Sequence, residues 1–266
     1  MRVALAQMDC RLGEVTTNVG RAAELRAEAQ AAGADLVVFP ELAVPGYCKD
    51  GRDAHLAMAP DDERLALVAG ETSAVVGFVE RPWYNAAGWW EGGRLRHVHR
   101  KVYLPNYGPW HEGRYFTAGD ALGVVNGVAI LICNDVWHPA LVELAVRRGA
   151  EVLLVPANSA RNPLVDNLSA WRDITRFYAR LLQVFVVFVN RVGIDAGFSF
   201  WGGSHVVDFD GRVVAEGPED VEAVVIADLD LEALRRRRRE LPLLDDPRLE
   251  LLADGFSALV PPDLLQ

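Results

Sequence analysis

Short apolar runs alternate with amphipathic stretches along this chain, and their spacing predicts most of its elements. Arg2–Gln7 is apolar at nearly every position, as a strand buried on both faces requires. The Ala/Glu/Arg-rich stretch that follows reads as a helix, with Thr17 as a cap and Gly33 as a stop. Asp35–Phe39 is a second continuous strand, broken at Pro40. Ser73–Val79, Trp83–Trp90 and Arg94–Lys101 predict three consecutive strands, joined at Pro82 and at Gly92-Gly93. Val124–Cys133 carries a hairpin turn at Asn126-Gly127 and ends on a cysteine. Then come helix Pro139–Arg148, strand Glu151–Val155, helix Asp166–Leu182 and strand Val184–Asn190. Phe198–Phe209 and Arg212–Ala215 predict a hairpin about Asp210-Gly211, and Ala223–Asp228 a last strand. From Leu241 to Gln266 the periodicity fades into Pro, Leu and Asp. No linker, low-complexity tract or close repeat interrupts the pattern. One α/β domain over 1–266 with mixed sheets is expected, its 241–266 tail packing on a partner subunit.

Composition narrows the function classes. The 266 residues fit one large single-core domain or two small ones, and a chain half apolar and 24% charged suits a soluble globular protein. No stretch offers the ~20 apolar residues of a membrane helix, and the N-terminus turns polar too soon for a signal peptide. The expected setting is cytoplasmic, with no membrane partner. A formal charge of −10 disfavours nucleic-acid binding. The run Arg235–Arg239 is the exception, expected as a solvated or subunit-contacting helix face. Three cysteines without C-x-x-C spacing or a histidine cluster argue against a disulfide framework and a zinc site. No metal or cofactor is expected; a free thiol remains open.

Chemistry-bearing residues stand at strand ends. Glu41 follows Val37-Val38-Phe39-Pro40, Lys101 closes Arg94–Arg100, and Cys133 closes Ala129–Ile132. Strand ends are where α/β proteins gather functional groups on a rigid base. Singly, each has an ordinary explanation: Cys133 as packing, Glu41 as a helix-start residue, Lys101 as a surface cation. Together they suffice for acyl transfer. A thiol needs a base to ionise it, a carboxylate can take that proton and return it to a leaving amine, and an ammonium can hold the tetrahedral oxyanion.

The sequence contexts sharpen this. Phe39-Pro40-Glu41-Leu42, His99-Arg100-Lys101-Val102-Tyr103-Leu104-Pro105 and Leu131-Ile132-Cys133-Asn134-Asp135-Val136-Trp137 resemble the three signature segments of the nitrilase, or carbon–nitrogen hydrolase, superfamily. They stand in the family's order, with Glu41, Lys101 and Cys133 spaced 60 and 32 positions apart. Asn190-Arg191-Val192-Gly193 and Phe200-Trp201-Gly202-Gly203-Ser204 match as well, so the resemblance covers nearly the whole chain. It implies a four-layer α-β-β-α sandwich with two mixed sheets. It also implies Glu41 as general base, Lys101 as oxyanion-stabilising ammonium, Cys133 as nucleophile, the Asn134 backbone N–H in the oxyanion hole and Glu112 as a second acid. A homodimer or larger homo-oligomer is implied too.

The stretch Leu104–Phe116 is similar to the glutaminase domain of glutamine-dependent NAD synthetases. With no Ser-Gly-Gly-x-Asp-Ser loop in the chain, a free-standing hydrolase is expected. Cys133-Asn134-Asp135 also occurs in N-carbamoyl-amino-acid amidohydrolases, although Val136-Trp137-His138-Pro139 replaces that branch's Arg-Arg-Trp-Pro. Tyr107, Asn134, Trp137 and Ser159 are the expected substrate contacts, with Tyr47 and Trp201 as further aromatics facing the pocket. The first expectation is an amidase cleaving a small linear carboxamide to carboxylate and ammonia. An N-carbamoylase and a catalytically silent binding subunit are the alternatives.

Overall fold

Neighbouring residues of the first strand face different partners, and that split defines the layers. In β1 (Arg2–Gln7), Val3 and Leu5 pack with Val128, Ile130, Leu154 and Val187, whereas Ala4 and Ala6 pack against Val19, Ala22 and Leu25. The first group fills the space between two sheets; the second lies under a helix. The computed structural model describes residues 1–47, 55–162, 166–195, 197–245 and 248–261. Cys48 and the tail residues Leu264 and Leu265 lie outside them.

The first sheet is built from β1, β2 (Leu36–Val38), β3 (Ala57–Met58), β4 (Ser73–Glu80), β5 (Tyr84–Glu91), β6 (Arg94–Arg100) and, at its far edge, Ala223–Asp228. Helices α1 (Val15–Ala31) and α2 (Glu63–Ala69) cover its outer face. The second sheet contains β7 (Val124–Val125), β8 (Val128–Ile130), β9 (Val152–Ala157) and β10 (Phe185–Asn190). Its outer face is covered by α3 (Pro139–Arg147) and α4 (Asn167–Leu181), which bury Val142, Ala145, Trp171 and Tyr178. The result is four layers, α-β-β-α. Parallel pairs (β1–β2, β2–β4, β8–β9, β9–β10) sit at the centre of each sheet and antiparallel pairs at the edges, with the short β3 added parallel to β4.

The structure departs from the sequence expectation in four places. Helix α1 starts at Val15, two residues before Thr17, and its cap residue Glu14 makes no side-chain cap bond. The expected strand Phe198–Phe209 is two strands. Gly202 and Gly203, at φ +70° and +58°, turn the chain, so β12 (Phe198–Trp201) pairs with β11 (Val192–Asp195). Beyond the turn, β13 (His205–Val207) joins β10 and β14 (Val213–Glu216) in the second sheet. The last strand is β15 (Ala223–Asp228), antiparallel to β1. The serial arginines in α5 (Leu231–Glu240) are partly solvated as expected, with Arg235, Arg236 and Arg239 exposed, but three of the five are engaged within the chain. Arg235 clasps Glu151 through two 2.8 Å bonds, Arg237 pairs with Asp210, and Arg238 donates to the carbonyls of Gln183 and Ala150. Finally, the tail is not aperiodic: α6 (Leu249–Ser257) forms there, with every residue exposed.

Candidate active site

Four strand ends converge at one rim of the double sheet. Glu41 follows β2, Lys101 follows β6, Cys133 follows β8 and Asn158 follows β9. The first two belong to one sheet and the last two to the other, so the site spans the seam between them. A cavity of about 390 Å³ opens there, lined by Glu41, Lys101, Glu112 and Cys133 among others.

Local backbone features aim each group. Pro40 ends β2, and Leu42 at φ +48° turns the chain so that Glu41 points inward. That turn lies hard against β4: a Cβ on Gly77 would stand 2.4 Å from the Pro40 carbonyl oxygen. Cys133 sits at φ +47°, a left-handed conformation that costs a β-substituted residue energy and lifts it out of the strand line into the cavity. The single-turn 3-10 helix Cys133–Trp137 follows at once.

The charged groups are nearly dry and tightly linked. Glu41, Lys101 and Glu112 are 1%, 1% and 3% exposed. Lys101 Nζ donates to Glu41 Oε1 at 2.7 Å and to Glu112 Oε1 at 3.0 Å. Glu41 Oε1 also accepts from Asn85 Nδ2 at 2.7 Å, and its Oε2 from the Asn158 backbone N–H at 2.8 Å. Tyr47 donates its hydroxyl to Glu112 Oε1 at 2.8 Å. Burial alone would push Lys101 towards its neutral form, but the charges of Glu112 and Glu41 outweigh it and hold its pKa well above the ordinary value. Burial, reinforced by Glu41, drives the Cys133 thiol well above its ordinary pKa despite Lys101 nearby. The thiol is therefore un-ionised at rest.

The model of the carbon–nitrogen hydrolase family matches residues 2–239. This chain belongs to that family. A glutamine-dependent NAD(+) synthetase of Thermotoga maritima is 34% identical over 244 residues, 87% of this chain but only 42% of the synthetase. The chain thus spans about half the length of the synthetases it matches. An (R)-stereoselective amidase of a Pseudomonas species is 33% identical, covering 94% of this chain and 93% of its own. Among solved structures, a variant of the amidase from Nesterenkonia sp. AN1 showing Michael addition of acrylamide at the active site cysteine superposes with TM-score 0.74 at 26% identity. It covers 91% of this chain and 98% of its own.

The substrate contacts expected from the sequence, Tyr107, Asn134, Trp137 and Ser159, all line the cavity. Tyr107 donates to Asn134 Oδ1 at 2.8 Å, and Asn134 Nδ2 donates to the Tyr103 carbonyl, so the two hold each other. Trp137 stands edge-on to Trp171, whose indole N–H donates to Ser159 Oγ at 2.9 Å. Ser159 thus anchors a wall of the pocket. Trp201 does not face the pocket: it is fully buried against Phe188 in the helix-covered core, placed there by the turn at Gly202.

Sequence reasoning missed three supports. Asn85 was legible only as a polar break in an apolar strand. Asn158 lies three positions past the expected strand Glu151–Val155, with nothing local to mark it as a donor to Glu41. Asp135, wholly buried, takes four hydrogen bonds: from the N–H groups of Val102, Tyr103 and Ile132, and with His99 Nε2 at 2.9 Å. It ties the lysine-bearing chain of one sheet to the cysteine-bearing turn of the other. Asp135→Asn places an amide group against these donors and is expected to lower stability by about 2–4 kcal/mol, measured by urea denaturation.

Glu112 gives a pH signature. Burial, against the opposing pull of Lys101, raises its pKa from 4.5 to about 7. Between those values the folded chain holds a proton that the unfolded chain has released. Its contribution to stability is therefore full below about pH 4.5 and is lost as pH rises through about 7. Glu112→Gln removes this term, so the urea midpoint of the variant is expected to gain on the wild type between pH 5 and pH 8.

Proposed function

We propose that this hydrolase is an amidase that converts a small carboxamide to carboxylate and ammonia through a thioester on Cys133. The observation that carries the reading is the buried Lys101 ammonium, within 3.0 Å of both Glu41 and Glu112 on the wall of the cavity that Cys133 lines.

The un-ionised thiol defines the order of events. Sγ attacks the carbonyl carbon while its proton passes to Glu41, the carboxylate whose charge most raises the thiol's pKa. The oxyanion forms between Lys101 Nζ and the backbone N–H of Asn134, which need little reorganisation because both are fixed beforehand. Collapse breaks the C–N bond, and Glu41 returns the proton to the departing amine, releasing ammonia. Water then attacks the thioester, giving its proton to Glu41, and the carboxylate leaves with the thiol restored. Glu112 keeps the ammonium in place: Lys101 shared between two carboxylates cannot swing onto one of them and leave the oxyanion position.

A panel of primary amides, nitriles, glutamine and carbamoyl-amino acids tests the reading by ammonia release, with intact-mass trapping of the acyl-enzyme. Ammonia from amides, together with a mass increase on Cys133, is the expected result. Turnover of nitriles alone, or carbon dioxide accompanying ammonia from carbamoyl compounds alone, would replace it.

We also propose a homodimer or larger assembly, with the tail packed on the partner copy. Supporting this are the solvent-facing apolar residues Leu249, Leu251, Leu252 and Phe256 of α6 and Phe177 and Leu181 of α4. Light scattering after size exclusion is expected to give at least twice the 29.2 kDa chain mass at micromolar concentration. A clean monomer there ends this proposal.

A further inference from the structure

We infer that Asn158 is a specificity-determining residue selecting carboxamides that carry a second planar amide or ureido group on their acyl side; this rests on the amidase reading above. Asn158 lines the cavity and is 4% exposed, yet neither its side-chain nitrogen nor its side-chain oxygen has a hydrogen-bond partner among the described residues. Buried polar atoms are nearly always paired, and a side chain with both atoms unpaired beside a catalytic cluster is one that a ligand completes. Its backbone is already committed, since the N–H donates to Glu41 Oε2 at 2.8 Å. The amide is therefore held at a fixed place next to the reacting groups.

The scissile amide does not satisfy it. The reacting carbonyl oxygen is taken by Lys101 and the Asn134 N–H, and the departing –NH2 offers donors alone. Asn158 presents a donor and an acceptor side by side in one plane. Its full complement is a group with an acceptor and a donor on a single edge, as in a carboxamide or a urea. A ketone or ester supplies the acceptor and leaves the asparagine oxygen bare. The surrounding wall agrees, because Trp110, Trp137 and Trp171 offer aromatic surfaces to a flat polar group.

Diamides and shape-matched keto amides test this: malonamide against acetoacetamide, and succinamide against 4-oxopentanamide. Ammonia release by the full chain is expected to favour a diamide by about 10-fold or more in kcat/KM, beyond the factor of about two from its two equivalent ends. In Asn158→Ala and Asn158→Leu that ratio is expected to collapse to about two. A role confined to structure, or to holding Glu41, lowers both members of a pair equally and leaves the ratio where it was; that outcome overturns the inference. So does a wild type with no preference. If other amides release ammonia while all four probes fail, the substrate class is wrong and the amidase reading stands. If no amide releases ammonia, the amidase reading falls and this inference with it.

Discussion

Cys133→Ala is expected to lower ammonia release by about 10⁴-fold or more, to the level set by binding and the oxyanion donors alone. The size of the loss follows from the reaction order. With the sulfur gone, no atom remains to form the acyl intermediate, and water would have to attack an unactivated amide. Cys133→Ser is expected to be nearly as poor, because a hydroxyl is harder still to deprotonate in a site that already drives the thiol's pKa up. Neither change should unfold the chain, since Cys133 is only partly buried and lies at the cavity wall. Urea midpoints near the wild type, beside lost turnover and no mass increase with amide, are the combined result. An alanine variant that kept its activity would remove the thioester route.

Lys101→Met should cost stability as well as turnover. Methionine matches the length of the aliphatic stem but carries no charge, so Glu41 and Glu112 are left as two buried carboxylates without their shared cation. Breaking a buried ion pair from one side costs about 3–5 kcal/mol, and losing one oxyanion donor removes about 10²–10³ in rate. The destabilisation has a pH dependence. Without its cation, Glu112, whose pKa is already raised to about 7, holds its proton more tightly still, so the deficit is smaller below about pH 7 and grows above it. Lys101→Met combined with Glu112→Gln removes one of the two stranded charges and is expected to regain stability but not turnover. Recovery of both would assign the lysine a structural role only.

How much of this was legible in the chain can be argued from particular residues. Glu41, Lys101 and Cys133 were visible because each stands at a strand end within a motif, and the structure brings them together with Glu112 at one cavity. Asn85 and Asp135 were not, although both are buried and polar. Nothing in a linear pattern tells a polar residue that supports a functional group from one that satisfies the backbone. Asp135 does both, and only the meeting of two sheets reveals which N–H groups it serves. The serial arginines show a related limit: the run is largely exposed, as a charge run suggests, but nothing local reveals that Glu151 and Asp210, far away in the chain, pair with it.

The sequence by itself determined the strands, their apolar faces, the turn residues and the identity of the chemical groups, because these depend on near neighbours and on the period of the backbone. Tertiary structure alone decided the rest. It set the 2.7 and 3.0 Å spacing of Lys101 between two acids, the division of Phe198–Phe209 between sheets, the inward place of Trp201 and the two unpaired atoms of Asn158. The physical reason is that hydrogen bonding and desolvation act across space between segments far apart in the chain, such as the 117 residues from Glu41 to Asn158. No local periodicity encodes that distance.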